Sequence, residues 1–148
     1  MFAGVGGLSL GLERAGFSHK ALVERNPRVT ATLAKNGHTN VTTADVGDVD
    51  FSRWRGAVTL VAGGPPCQPF SNAGLKRGEA DPRNGWECAL RAVAQVEPAA
   101  VLFENVRGML SPLFDSYRAT ITSRLEALGY AVQWLSVDAA DFGVPQHR

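Results

Sequence analysis

The chain has 148 residues, 45% hydrophobic and 20% charged, which fits one globular domain with one core. No apolar run reaches the ~20 residues a membrane-spanning helix needs, and no basic-then-apolar leader opens the chain; the expected setting is cytoplasmic, with no membrane partner. The net charge of +1 leaves no electrostatic footprint of nucleic acid, so a DNA-binding role has to rest on a site.

Taken in chain order, the pattern predicts a helix over Leu8–Ala15 that opens straight from a glycine loop. A short strand follows at Ala21–Val23. Next comes a helix over Pro27–Lys35, with Asn26 as its N-cap and Pro27 at its first position. Asn40–Thr43 is strand-like, and Val58–Ala62 reads as a buried strand. Gly63 to Asn84 shows no regular pattern, and long irregular loops inside a domain are usually functional or disordered. Trp86–Val96 reads as a helix stopped before Pro98, Ala100–Phe103 as a second buried strand, and Phe114–Leu128 as an amphipathic helix closed by Gly129. Tyr130–Val137 alternates as a strand does. Strands alternating with helices predict an α/β domain with a mostly parallel sheet.

Two cysteines, Cys67 and Cys88, make neither a disulfide framework nor a metal motif. His19, His38 and His147 lie far apart without ligand spacing, so no metal is expected. Cys88 falls on the apolar side of a predicted helix, where an inert buried thiol belongs. Cys67 is different. It sits in Gly63-Gly64-Pro65-Pro66-Cys67-Gln68-Pro69-Phe70-Ser71, on a loop leaving a strand, with prolines stiffening both sides.

Ligands of open α/β sheets gather at the carboxyl ends of strands. Two groups of residues fall there. The first is the loop Phe2-Ala3-Gly4-Val5-Gly6-Gly7, followed by Glu24 after the next strand and Asp45 after the one beyond. Glycines let backbone approach a ligand closely, and an acid about twenty residues on suits ribose hydroxyls. Read alone, the same residues also describe a plain turn and a surface carboxylate. The second group is Cys67, then Glu104 in Glu104-Asn105-Val106-Arg107 after a buried strand, then Arg148 after Gln146-His147. Glu104 read alone also suits an N-cap or a salt bridge to Arg107.

Together these runs resemble the cytosine-C5 DNA methyltransferases. The proline–cysteine run, the glutamate–asparagine–valine run, the glycine loop and Gln146-His147-Arg148 occur in that family's order and spacing. The resemblance implies a Rossmann-like, three-layer S-adenosylmethionine-dependent fold. It implies cofactor contacts at Phe2, Ala3, Gly4, Gly6, Gly7, Glu24, Asp45, Val46 and Pro65. It makes Cys67 the nucleophile, Glu104 and Arg148 the grips on the target cytosine, and Asn105 a support behind the site. The cofactor expected is S-adenosyl-L-methionine without metal, and the partner double-stranded DNA. Lys76, Arg77 and Arg83 are candidate phosphate contacts on a loop hinged at Gly74, Gly78 and Gly85, though a solvated loop fits them nearly as well.

Against the family pattern, the first strand and the last strands are expected to be missing, so that residues 1–148 form one incomplete catalytic domain. A target-recognition domain is expected to be absent and to come from elsewhere, for instance from a second polypeptide. Alternatives are a tRNA-type RNA cytosine methyltransferase, since the proline–cysteine motif is shared, and an inactive remnant or partner-dependent subunit of a split enzyme.

Overall fold

The computed structural model describes residues 1–66 and 85–147. Among the described residues four short strands and four α-helices share the chain, two of the strands following one another without an α-helix between. Helix α1 spans Gly7–Arg14, β1 Leu22–Glu24, α2 Pro27–Lys35, β2 Val41–Thr43, β3 Leu60–Gly63, α3 Trp86–Val96, β4 Ala100–Phe103 and α4 Asp115–Ala127. The helices at Pro27 and Trp86 match the sequence expectation at both ends, and so do the bounds of the strand at Ala100, but that strand is not buried as expected: Ala100 and Leu102 are exposed and Val101 and Phe103 half-buried. The buried strand expected at Val58–Ala62 begins later and runs on to Gly63.

Local chemistry sets these boundaries. Asn26 accepts the Arg28 N–H at 3.0 Å through Oδ1, and Pro27 supplies the preset φ of a first helical turn. Helix α4 ends where Gly129, at φ 92°, turns left-handed, letting Gly129 N–H donate to Glu126 O and Tyr130 N–H to Leu125 O.

Among the described residues both ladders are parallel. β1 pairs with β2, Leu22 opposite Val41 and Glu24 opposite Thr43; β3 pairs with β4, Leu60 opposite Ala100 and Gly63 opposite Phe103. Among the described residues these pairs form two separate two-stranded sheets. The first three residues bridge them: the Met1 amine donates to Ala62 O at 2.9 Å, and Ala3 N–H donates to Val23 O at 3.1 Å. Gly63 has to be glycine here, because a Cβ would stand 2.4 Å from Met1 O. Beside this bridge lies a cavity of about 770 Å³, lined by Leu22 and Val23 on one side and Leu60, Val61 and Ala62 on the other.

The main core lies around β3, α3 and α4. Helix α3 buries Trp86, Ala89, Leu90, Ala92, Val93 and Val96, and α4 contributes Tyr117, Ile121 and Leu125. Full burial of side chains such as Ile121 stabilises by about 1.5–3 kcal/mol each. Trp86 meets Phe103 edge-on with ring centroids 5.4 Å apart, joining α3 to β4.

One expected strand is not a strand. Over Tyr130–Val137, Tyr130, Val132 and Trp134 pack against the core, with exposed residues between them, but no ladder forms among the described residues. Side chains anchor the segment instead: Tyr130 OH donates to Pro98 O at 2.7 Å and Trp134 Nε1 to Thr122 Oγ1 at 3.0 Å. Alternation reports a half-buried extended chain, whereas a strand also needs a backbone partner. Among the described residues no helix is long and apolar enough to cross a membrane.

Candidate active site

Of the expected site residues, Glu24, Asp45, Pro65 and Glu104 fall at or just past strand ends, while Phe2 to Gly7 follow no strand among the described residues. Glu24 closes β1 and Asp45 lies two residues past β2. Gly64 and Pro65 leave β3, and Glu104 and Asn105 leave β4. Cys67 and Arg148, along with Lys76, Arg77 and Arg83, lie outside the described residues.

Glu24 organises the first group. Its Oε2 accepts the Gly4 N–H and its Oε1 the Asn26 N–H, both at 3.0 Å. The carboxylate is thereby pinned between the glycine loop and the start of α2. A carboxylate has about four acceptor positions, so this use leaves capacity for ribose hydroxyls. Gly4 holds φ +53°, and nothing stands within 4 Å of the point where its Cβ would be. The same open space faces Gly7. An L-residue at Gly4 would be strained and would fill this open space. Gly6 is needed for packing: at φ +96°, a Cβ there would meet Leu33 Cδ2 at 2.9 Å.

Phe2 is a non-glycine residue at φ 52°. Such a backbone costs on the order of 1–3 kcal/mol and persists only when its surroundings enforce it. The tip of its ring lies 3.1 Å from where a Gly85 Cβ would be, so that edge is committed to the protein. Ala3 is fixed by its ladder-like bond to Val23.

Asp45 Oδ1 accepts Gly47 N–H at 2.8 Å and caps the 3₁₀ turn Val46–Asp48, while Oδ2 stands 3.8 Å from Arg25 Nη1. The Val46 side chain points into the core, 3% exposed, so a ligand contact there falls to its backbone N–H. One residue not anticipated from sequence holds this loop. Arg91, on α3, donates to Val46 O at 2.7 Å, to Gly47 O at 2.9 Å and to Val49 O at 3.2 Å. Its only signal in the sequence was a lone cation inside an apolar helix.

The second group is joined by backbone. Glu104 N–H donates to Gly63 O at 3.0 Å, and Glu104 Oε2 lies 3.3 Å from the position of a Gly64 Cβ. The Glu104 side chain is exposed rather than enclosed at a buried strand end. Asn105 Nδ2 donates to Pro65 O at 3.0 Å, and its Oδ1 accepts Val106 N–H at 3.0 Å. This side chain clips the loop leaving β3 to the loop leaving β4. Phe2, Ala3, Gly4, Gly7, Gly64 and Glu104 all border the same 770 Å³ space that lies between the two strand pairs. Glu24, Asp45, Val46 and Pro65 stand outside its lining. The pinned carboxylate, the open glycine face and the exposed Asp45 together fit a nucleoside-bearing cofactor.

Fold and site define a class: a parallel α/β domain of Rossmann type with its polar groups at the strand carboxyl ends. The family model for C-5 cytosine-specific DNA methylases matches residues 1–148, and the chain belongs to that family. It is 46% identical over 147 residues to the Type II methyltransferase M.NgoMIV of Neisseria gonorrhoeae, covering 99% of this chain and 47% of that protein. It is 44% identical over 149 residues to the Type II methyltransferase M.NaeI of Lentzea aerocolonigenes, covering 99% and 36%. The crystal structure of the S. pombe Dnmt2 methyltransferase matches 99% of this chain and 46% of its own with a TM-score of 0.75. At 21% identity that likeness speaks for the fold. The chain spans less than half the length of these relatives.

Proposed function

We propose that this chain is the catalytic portion of a DNA (cytosine-5-)-methyltransferase of the restriction–modification type. It would transfer a methyl group from S-adenosyl-L-methionine to carbon 5 of a cytosine flipped out of double-stranded DNA. The observation that carries this reading is the junction of the two loops. Asn105 holds Pro65, two residues before Cys67, while the Glu104 carboxylate rests against Gly64 in the cavity that also meets the glycine loop.

In this reading Glu24 and Asp45 hold the cofactor's ribose and base side, with Gly4 open to it. When bound, the cofactor supplies an electrophilic methyl group on a sulfonium. Carbon 5 of cytosine is a poor nucleophile on its own. The Cys67 thiolate forms a bond to carbon 6, which moves electron density onto carbon 5. Glu104 hydrogen-bonds ring nitrogen 3 and the exocyclic amine, and Arg148 donates to the carbonyl oxygen at position 2, so the charge created by addition is held. Carbon 5 would take the methyl group as the carbon–sulfur bond of the sulfonium breaks, releasing the neutral thioether S-adenosylhomocysteine. Loss of the carbon-5 proton then returns an electron pair to the ring and expels the Cys67 thiolate, leaving 5-methylcytosine and a regenerated nucleophile. Cysteine suits both halves, being a strong nucleophile and a workable leaving group.

The target carbon is unreachable inside a stacked duplex, so the base has to be extruded into the site. Sequence recognition is assigned to a target-recognition domain outside these 148 residues, attached in the same polypeptide or supplied by a second one. The test is mechanism-based trapping. Supplied with such a domain, S-adenosylmethionine and duplex DNA containing 5-fluorocytosine, the protein is expected to form a denaturation-resistant adduct that maps to Cys67. Cys67→Ser should abolish it. An adduct on any other residue would overturn the assignment.

A further inference from the structure

Away from the loop junction, the fold gathers three side chains that the sequence keeps apart. Glu13 lies in the last turn of α1, His19 in the segment leading to β1, and His38 just beyond α2. Glu13 Oε1 stands 3.1 Å from His19 Nδ1 and 3.3 Å from His38 Nδ1. One ligand atom from each residue lies within 4.8 Å of the other two. The two imidazoles are nearly perpendicular, at 83°, with centroids 5.9 Å apart.

We propose that Glu13, His19 and His38 form a binding site for a divalent transition metal of the zinc class. Glu13 Oε1 and the two Nδ1 atoms are the protein ligands, and water takes the fourth position. The chemistry of the set is right: imidazole nitrogen with a carboxylate oxygen suits zinc and cobalt rather than calcium or magnesium. Metal–ligand bonds of about 2.0–2.1 Å in a tetrahedral site put ligand atoms about 3.3 Å apart, close to the 3.1 and 3.3 Å from Glu13 Oε1 to the two Nδ1 atoms, and the whole set falls within 4.8 Å. The histidine side chains are 15% and 12% exposed while Glu13 is 40% exposed, so the cluster is walled by protein and open to solvent at the carboxylate.

In a purely hydrogen-bonded cluster both Nδ1–H groups donate to one carboxylate oxygen. His19 Nε2 is buried without a hydrogen-bond partner in either arrangement, so the metal reading rests on the ligand set and its spacing. The site also has a lever on the rest of the molecule. His38 Nε2 lies 3.5 Å from the position of a Gly6 Cβ, and Gly6 is the residue from which α1 leaves the glycine loop. An ion here ties the C-terminal end of α1 to the segment before β1 and to the loop before β2.

The test uses cobalt and zinc on chelator-stripped protein in a Cys67→Ser, Cys88→Ser background, so that thiolates do not compete. Cobalt is expected to give the visible absorption of a tetrahedral site, zinc to displace it, and zinc to raise the melting temperature. His19→Gln and His38→Gln should each weaken cobalt binding by about tenfold or more. Glu13→Gln, at an exposed position that does not threaten folding, should weaken it too. A cobalt spectrum that is absent, or unchanged in Glu13→Gln and in folded His19→Gln, overturns the proposal and leaves a hydrogen-bonded pin.

Discussion

At the scale of single residues, side chains that hold backbone govern the site as much as those that face a ligand. Arg91 binds three carbonyls of the segment that follows Asp45, and charge-assisted bonds of this kind are the stronger sort. Arg91→Ala is expected to raise the dissociation constant for S-adenosylmethionine about tenfold, a change of ~1.4 kcal/mol. Circular dichroism should remain that of a folded protein. Arg91→Lys, a point donor without the planar fork, should recover only part of the loss. Calorimetric titration of both variants checks this, and equal affinity in all three proteins would sink it. Glu24 sharpens the contrast between what sequence shows and what it hides. Its position about twenty residues beyond the glycine loop was legible, because a strand end and a turn set that spacing. Its two backbone partners were not, since they depend on where Gly4 and Asn26 come to rest. In Glu24→Gln one oxygen becomes an NH₂ group facing a backbone N–H. That variant should weaken cofactor binding by more than Asp45→Asn does, a ranking the same titration reads.

At the scale of elements, local signals were read best where one residue type has one mechanical use. The Asn26–Pro27 start of α2 is such a case. Asn26→Ala should cost about 1 kcal/mol, seen as a fall of roughly 2–4 °C in melting temperature for a chain of this size. A melt within error of the parent protein would show that tertiary contacts, rather than the cap, hold the start of α2. Trp86–Val96 and Ala100–Phe103 were legible for a related reason: a long apolar periodicity stopped by Pro98, then a short apolar run. Tyr130–Val137 shows the limit. Its alternation was real, and Tyr130, Val132 and Trp134 do face the core. A backbone partner is a property of another segment, however, and no residue within 130–137 encodes it. The histidines make the same point at longer range. Six and nineteen residues separate partners that a ligand-spacing rule expects to lie on one turn, and only the packing of α1 against the loop before β2 unites them.

At the scale of the whole molecule, the feature that organises everything else is the space between the two strand pairs. On the edges that face each other, β1 and β3 have no ladder partner among the described residues. Free strand edges next to an apolar cavity are an invitation to pair. Among the described residues Met1 to Ala3 span the space, and the Met1 amine is pushed down to about 6 from 8.0 by burial, against the opposing pull of Glu24. Between those two values the unfolded chain holds a proton that the folded chain has released. The unfolded state then binds more protons, so stability rises with pH across this window and is lost as pH falls through it. Denaturant titrations of the 148-residue chain at pH 6 and pH 8.5 should show the higher midpoint at 8.5. Placing an extended segment of about five apolar, β-branched residues ahead of Met1 should change two readings together. The amine becomes an amide that keeps its bond to Ala62 O without a charge, so the pH dependence should flatten. The new segment should also pair with both edges in parallel and bury at least two side chains, worth ~3 kcal/mol or more, or roughly 6–12 °C in melting temperature. A control segment with Lys and Asp at the inward positions should flatten the pH response without the thermal gain. If both segments raise the melting temperature equally, the gain comes from removing the charge, and the space between β1 and β3 is not a strand site.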